Sequence, residues 1–203
     1  MILLLALCLV QGLSLQTVSA IDKTSYTNKE VDLKINMRKL LSDSLTWQRI
    51  FVLETLAGSM EADKALSRLT KCETDLANAF KPYMGDSTSS QLNDLFKQYL
   101  QALADYISTS KIGGDKTYVI GKIHDNADSI ADLLSRTNMS WQRNDLFNAL
   151  KKYYDLLDAE IDTQVAKMGS LDTTAVDAGF DQAMFIADTY SLGLIQQYPG
   201  NFW

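Results

Sequence analysis

The stretches ETDLANAFKPYMGDSTSSQLNDLF, Glu73 to Phe96, and HDNADSIADLLSRTNMSWQRNDLF, His124 to Phe147, decide how this chain is read. In each, apolar and small residues recur every three or four positions, a turn carrying Gly85 or Asn138 follows, and a second segment opens with Asn-Asp-Leu-Phe. That spacing puts the apolar side chains on one helix face. Two helical hairpins in succession are therefore expected. Gln91, Asn93, Asp94, Leu95 and Phe96 match Gln142, Asn144, Asp145, Leu146 and Phe147, whereas the letters upstream differ. The match reads as an internal repeat, with two unrelated hairpins in the same structural role as the alternative.

Outward from the hairpins the pattern stays helical. The 203 residues contain two prolines and ten glycines, too few turn formers for a sandwich or barrel, so the fold expected is all-α. Six helices are expected in one up-and-down bundle: Met37 to Ala57, stopped by Gly58; Met60 to Gly85, with Ser59 as cap; Ser90 to Gly113; a fourth after Asp115 ending near Arg136; Trp141 to Met168; and a sixth from Asp172 or Thr173 to Pro199. Residues 21–36 alternate at Val31-Asp32-Leu33-Lys34-Ile35 and are expected to form an extended arm leading into the bundle of 37–203, with Asn36 as the first cap.

Residues 1–20 read as a signal peptide: an apolar run from Ile2 to Val10, shorter than the roughly 20 residues of a membrane span, then Val18-Ser19-Ala20 before a cut at Ile21. The mature chain is expected to be secreted, without a membrane span, and to keep Cys72 as its one thiol. Ala65, Leu69, Cys72, Leu76, Ala79 and Tyr83 share a stripe, so Cys72 is expected to be buried. The sequon Asn138-Met139-Ser140 falls in a turn and offers Asn138 as a glycosylation site.

The formal charge of −6, with basic residues scattered among acids, excludes a nucleic-acid surface. His124 alone cannot build a zinc site or a triad, and no glycine-rich phosphate loop or nucleophile elbow occurs. Carboxylates and amides remain. Asp43, Asp75, Asn126, Asp128 and Asp188 form the candidate set for a divalent metal, although the Glu-x-x-His pairs of helical di-metal centres are absent. Arg49, Asn78 and Glu160 are read as structural polar groups of the core, Arg49 neutralising an inward carboxylate.

The letters Asp43, Trp47, Arg49; Asp75, Asn78, Lys81-Pro82-Tyr83, Gly85; Asn126-Ala127-Asp128; and Ala187-Asp188, Gly193, Gln197, Pro199 resemble a family of small bacterial all-helical proteins, often labelled glycosyltransferase or acetylglutamate kinase. The resemblance runs from about Met37 onward. It implies inward histidines on several helices and a metal site; here those positions hold Ser44, Tyr99, Lys151, Tyr153, Phe180 and Gln182. The chain would be a secreted, histidine-depleted member. No cofactor is expected from this reading, with a divalent metal as the alternative.

The function expected is that of a secreted, non-enzymatic bundle binding an extracellular protein or glycan, or serving as a structural component. The alternatives are a metal-binding protein or metal-dependent enzyme using the carboxylate set, and a carrier holding an apolar ligand among Trp47, Tyr99, Tyr106, Tyr153 and Phe180.

Overall fold

The computed structural model describes residues 25–166 and 173–203. The expected signal peptide and its cut at Ile21 lie outside the described residues, as does the expected end of the fifth helix at Met168 and Gly169.

The first helix, α1, spans Asn28–Ala57, so Val31 to Ile35 is helical and not an extended arm. A capping box decides this. Thr27 Oγ1 accepts from Glu30 N at 3.3 Å, and Glu30 Oε2 accepts from Thr27 N at 2.8 Å. From there Leu33, Met37, Leu41, Leu45 and Gln48 follow at helical intervals as buried positions, while Val31 and Ile35 face outward at 39% and 61% exposure. Asn36 consequently sits inside the helix and caps nothing. Gly58 ends α1 as expected, at φ 66° and ψ 29°, where its N–H reaches the carbonyls of Glu54 and Thr55.

Among the described residues there are five helical elements rather than six, because the second and third expected helices follow without a loop, joined at one non-helical residue, as α2, Ala62–Lys111. It contains a sharp corner. Gly85 has φ 79° and ψ 173°, a backbone region essentially closed to residues with a Cβ, and Pro82 just before it withholds one helical hydrogen bond. Beyond the corner the chain runs back along itself: Ser89 Oγ donates to Ala77 O at 2.9 Å and Thr74 Oγ1 to Asn93 Oδ1 at 3.0 Å.

The second hairpin is α3, Thr117–Thr137, and α4, Arg143–Ala166; α5 is Thr173–Gln197, followed by a short 3-10 turn at Pro199–Phe202. Asp115 Oδ1 accepts from Thr117 N at 2.9 Å and anchors the start of α3. Each helix packs on its neighbours in sequence and α5 closes back on α1, so the bundle is a ring around one apolar interior. Phe80 of α2, Trp141 of the α3–α4 turn and Tyr190 of α5 meet edge to face there, with centroids 5.2 to 6.2 Å apart. Among the described residues no helix is long and apolar enough to cross a membrane.

The two hairpins keep a common register. At a spacing of 51 residues, Cys72 and Ile123, Leu76 and Ala127, Phe80 and Ala131, Tyr99 and Leu150, and Tyr106 and Leu157 are buried in pairs. In the shared Asn-Asp-Leu-Phe letters the burial swaps, with Phe96 inward in one copy and Leu146 in the other.

Cys72 is 2% exposed, on the apolar side of α2 with Leu69 and Leu76, and Arg68 Nη1 donates to its sulfur at 2.7 Å. Burial pushes the thiol above its ordinary value, with Arg68 opposing. In native protein Cys72 is expected to react slowly with a thiol reagent and to become reactive when the protein is unfolded. Rapid reaction of native protein would show that Cys72 is accessible.

Candidate functional site

The polar groups brought together in the interior differ from those the sequence singles out. Glu73 of α2 is 5% exposed, and Ser44 of α1 donates a short hydrogen bond to its Oε1. Around them stand Tyr99 of α2, Tyr153 and Tyr154 of α4 and Tyr190 of α5, with Leu41, Leu76, Phe96, Leu150 and Ile186 completing the wall. The enclosed space open to a water's centre is about 20 Å³. That is room for about one water. Tyr99 and Tyr154 stack at 4.2 Å, and Tyr99 OH donates to Gln48 Oε1 at 3.1 Å.

Burial without a cation raises the Glu73 carboxyl to about 7, the Ser44 hydrogen bond opposing only in part. All four tyrosines are held above their ordinary value by desolvation. A second buried acid, Asp158 of α4, is raised to about 7 by desolvation and by its neighbours Asp155 and Asp162. A carboxyl whose folded value exceeds its unfolded one stabilises the fold in its protonated form. The contribution is complete below the unfolded value near 4.5 and is lost as pH rises through about 7. Native protein is expected to melt higher at pH 5 than at pH 8, with Glu73 alone supplying about 3 kcal/mol. Glu73→Gln should raise the melting temperature at pH 8 and flatten the pH profile; a profile unchanged by the substitution would count against a buried neutral acid.

A layer away, toward the end of the bundle where α1 and α4 terminate, Arg49 meets Glu160. Arg49 Nη2 donates to Glu160 Oε2 at 3.0 Å and to Val176 O at 2.9 Å, and Nε lies 3.1 Å from both carboxylate oxygens. The side chains are 13% and 4% exposed. Phe180 lies under the guanidinium at 4.7 Å, and Gly179 leaves the space it occupies: a Cβ there would stand 2.9 Å from Nη2.

The five residues proposed as metal ligands are dispersed. Asp43 pairs with Lys39, Asp75 with Lys71, Asp128 with Arg143 and Asp188 with Arg38, while Asn126 Nδ2 donates to Leu95 O at 2.8 Å. Among the described residues no three His, Cys, Asp or Glu side chains form a group able to hold a metal. These helix-surface acids find lysine and arginine nearby, so the set does not converge. Asn78 is exposed and leaves the core list, because its neighbours Ala77 and Phe80 take the inward side of that turn. Asn138 is fully buried: its Nδ2 donates to Gly193 O at 3.0 Å and its Oδ1 accepts from Ser140 N at 2.8 Å. A glycan on Nδ2 does not fit this fold.

Of the positions set against inward histidines, Ser44, Tyr99 and Tyr153 line the Glu73 cavity. Gln182 is buried and donates to Ala149 O at 2.9 Å, Phe180 serves Arg49, and Lys151 lies at the surface with Asp155 and His124. Glu73 itself escaped the sequence reading, although Cys72, Leu76 and Ala77 around it mark the inward face. The chain matches no family model, no curated protein and no solved structure.

Proposed function

We propose that the chain is a secreted, non-enzymatic helical bundle acting outside the cell as a binding or structural component. The observation that carries this reading is the size of its polar heart. Glu73, Ser44, Tyr99 and Tyr153, the chemically capable groups that converge, surround about 20 Å³ and leave no place for a substrate beside the acid. The apolar leader supports export, and the Cys72 thiol tucked against Leu69 and Leu76 suits an oxidising compartment, where an exposed one would cross-link. The motif likeness to small bacterial helical proteins supports a shared scaffold in which tyrosine and serine stand where metal-binding histidines would be. Partners are then met on the outer helix faces, and an extracellular protein or glycan fits that role.

Two measurements on the native source test it. Mass spectrometry of the extracellular fraction is expected to find the chain starting at Ile21, and a full-length chain retained in the cell would overturn export. Replacing the genomic copy by Glu73→Gln is expected to leave the phenotype intact; loss of function in a folded, exported variant would make Glu73 a reacting group.

A further inference from the structure

Beside the Arg49–Glu160 pair lies a second small cavity, about 10 Å³, walled by Gln48, Arg49 and Val52 of α1 and Leu157, Glu160, Ile161 and Gln164 of α4. Three buried polar atoms on its lining residues find no hydrogen-bond partner among the described residues: Gln48 Nε2, Arg49 Nη1 and Gln164 Oε1. Gln48 and Gln164 are 1% and 3% exposed, so bulk water does not satisfy them. The Glu160 carboxylate orients the Gln164 amide, and the Gln48 amide stands with its oxygen toward the Tyr99 hydroxyl. Gln48 Oε1 accepts from Tyr99 OH, and Gln164 Nε2 donates to Glu160 Oε1 at 3.2 Å. Two donors and one acceptor thus remain.

That set selects a chemistry. A carboxylate accepts twice but has nothing to give Gln164 Oε1 and would stand against Glu160; an ammonium donates but cannot accept. A hydroxyl oxygen accepts from two donors and donates once, and it is about the size of the cavity. Next to it lies a groove of about 590 Å³ lined by Leu53, Leu56, Ala57 and Val165, with Glu54 and Lys111 also on its wall. Gln164 belongs to both walls. The groove has the size of a small-molecule site and a mainly aliphatic lining.

We propose that the α1–α4 seam binds the hydroxyl end of a small amphipathic alcohol, held by Gln48, Arg49 and Gln164, with its apolar body in the groove beyond. The site goes beyond the extracellular role above and stands whether or not the chain is exported. It takes the ligand at the end of the bundle and not among the central tyrosines, where the space is too small for an apolar carrier.

The test is isothermal titration of the folded full-length chain with n-octanol and with octanoate, paired with thermal melts. Octanol is expected to saturate and to raise the melting temperature, with octanoate at least about tenfold weaker for want of a donated proton. Gln164→Leu, close in volume, should weaken octanol about tenfold without weakening octanoate. Gln48→Leu is the second variant should the first unfold. Equal binding of the two ligands would overturn the hydroxyl assignment. Absence of octanol binding, with one ordered water between Gln48, Arg49 and Gln164 in a crystal structure, would overturn the alcohol and leave a water only.

Discussion

Gly193→Ala is expected to destabilise the protein by about 3–5 kcal/mol, the scale of losing a buried tryptophan from a core. A Cβ at that position would stand 1.8 Å from Trp141 Nε1 and 2.3 Å from Cε2, well inside contact distance, so the indole must leave. It would take with it the hydrogen bond from Nε1 to Thr189 O at 2.9 Å and both edge contacts, to Phe80 and Tyr190. The Asn138 bond to Gly193 O belongs to the same docking of the α3–α4 turn on α5 and would loosen with it. Urea denaturation measures the loss, and Gly121→Ala is the control. Gly121 lies exposed within α3, with nothing within 4 Å of an added Cβ, so alanine there should gain up to about 1 kcal/mol through helix propensity. Equal behaviour of the two variants would mean that Trp141 does not occupy the space over Gly193.

Arg49→Ala is expected to cost a similar amount, about 3–5 kcal/mol, by leaving Glu160 buried without its cation. Among the described residues Glu160 would keep the Gln164 amide as its donor. The Val176 carbonyl and the face of Phe180 would lose their partner too, and with them a tie between α1 and the first turns of α5. The pair is costly to break but not necessarily costly to replace. An Arg49→Met and Glu160→Leu double variant should recover most of the loss, because it removes the desolvated charge along with the bond. Chemical denaturation of the two variants decides. A single variant within about 1 kcal/mol of the parent would place the pair in solvent.

Which parts of the molecule were legible follows from what periodicity records. The stripes of α3, α4 and α5 register burial directly, and the stops at Gly58 and Pro199 register backbone chemistry. The start of α1 is hidden because Val31, Leu33 and Ile35 alternate in a window too short to separate the two periods; the Thr27-x-x-Glu30 capping letters are the better signal. The corner at Gly85 was visible as a glycine after a proline, but letters do not say whether helix continues on the far side. The interior acids were harder. Asp75 and Glu73 sit on one turn, and a rotation of two residues decides which enters the core and which pairs with Lys71. Arg49 and Glu160 are 111 residues apart, a contact set by the closure of α5 on α1 with α4 beside it and by no local pattern.

Asn138 gives the α3–α4 turn an unusual relation to time. Its side-chain nitrogen is the atom a glycosylating enzyme would use and also the atom that donates to Gly193. In a cell that adds such glycans, folding and modification therefore compete for one nitrogen. Chains that close the turn early bury it, and on chains that linger a sugar there would leave one N–H but no room to bring it against Gly193, so the sugar would mark those that folded late.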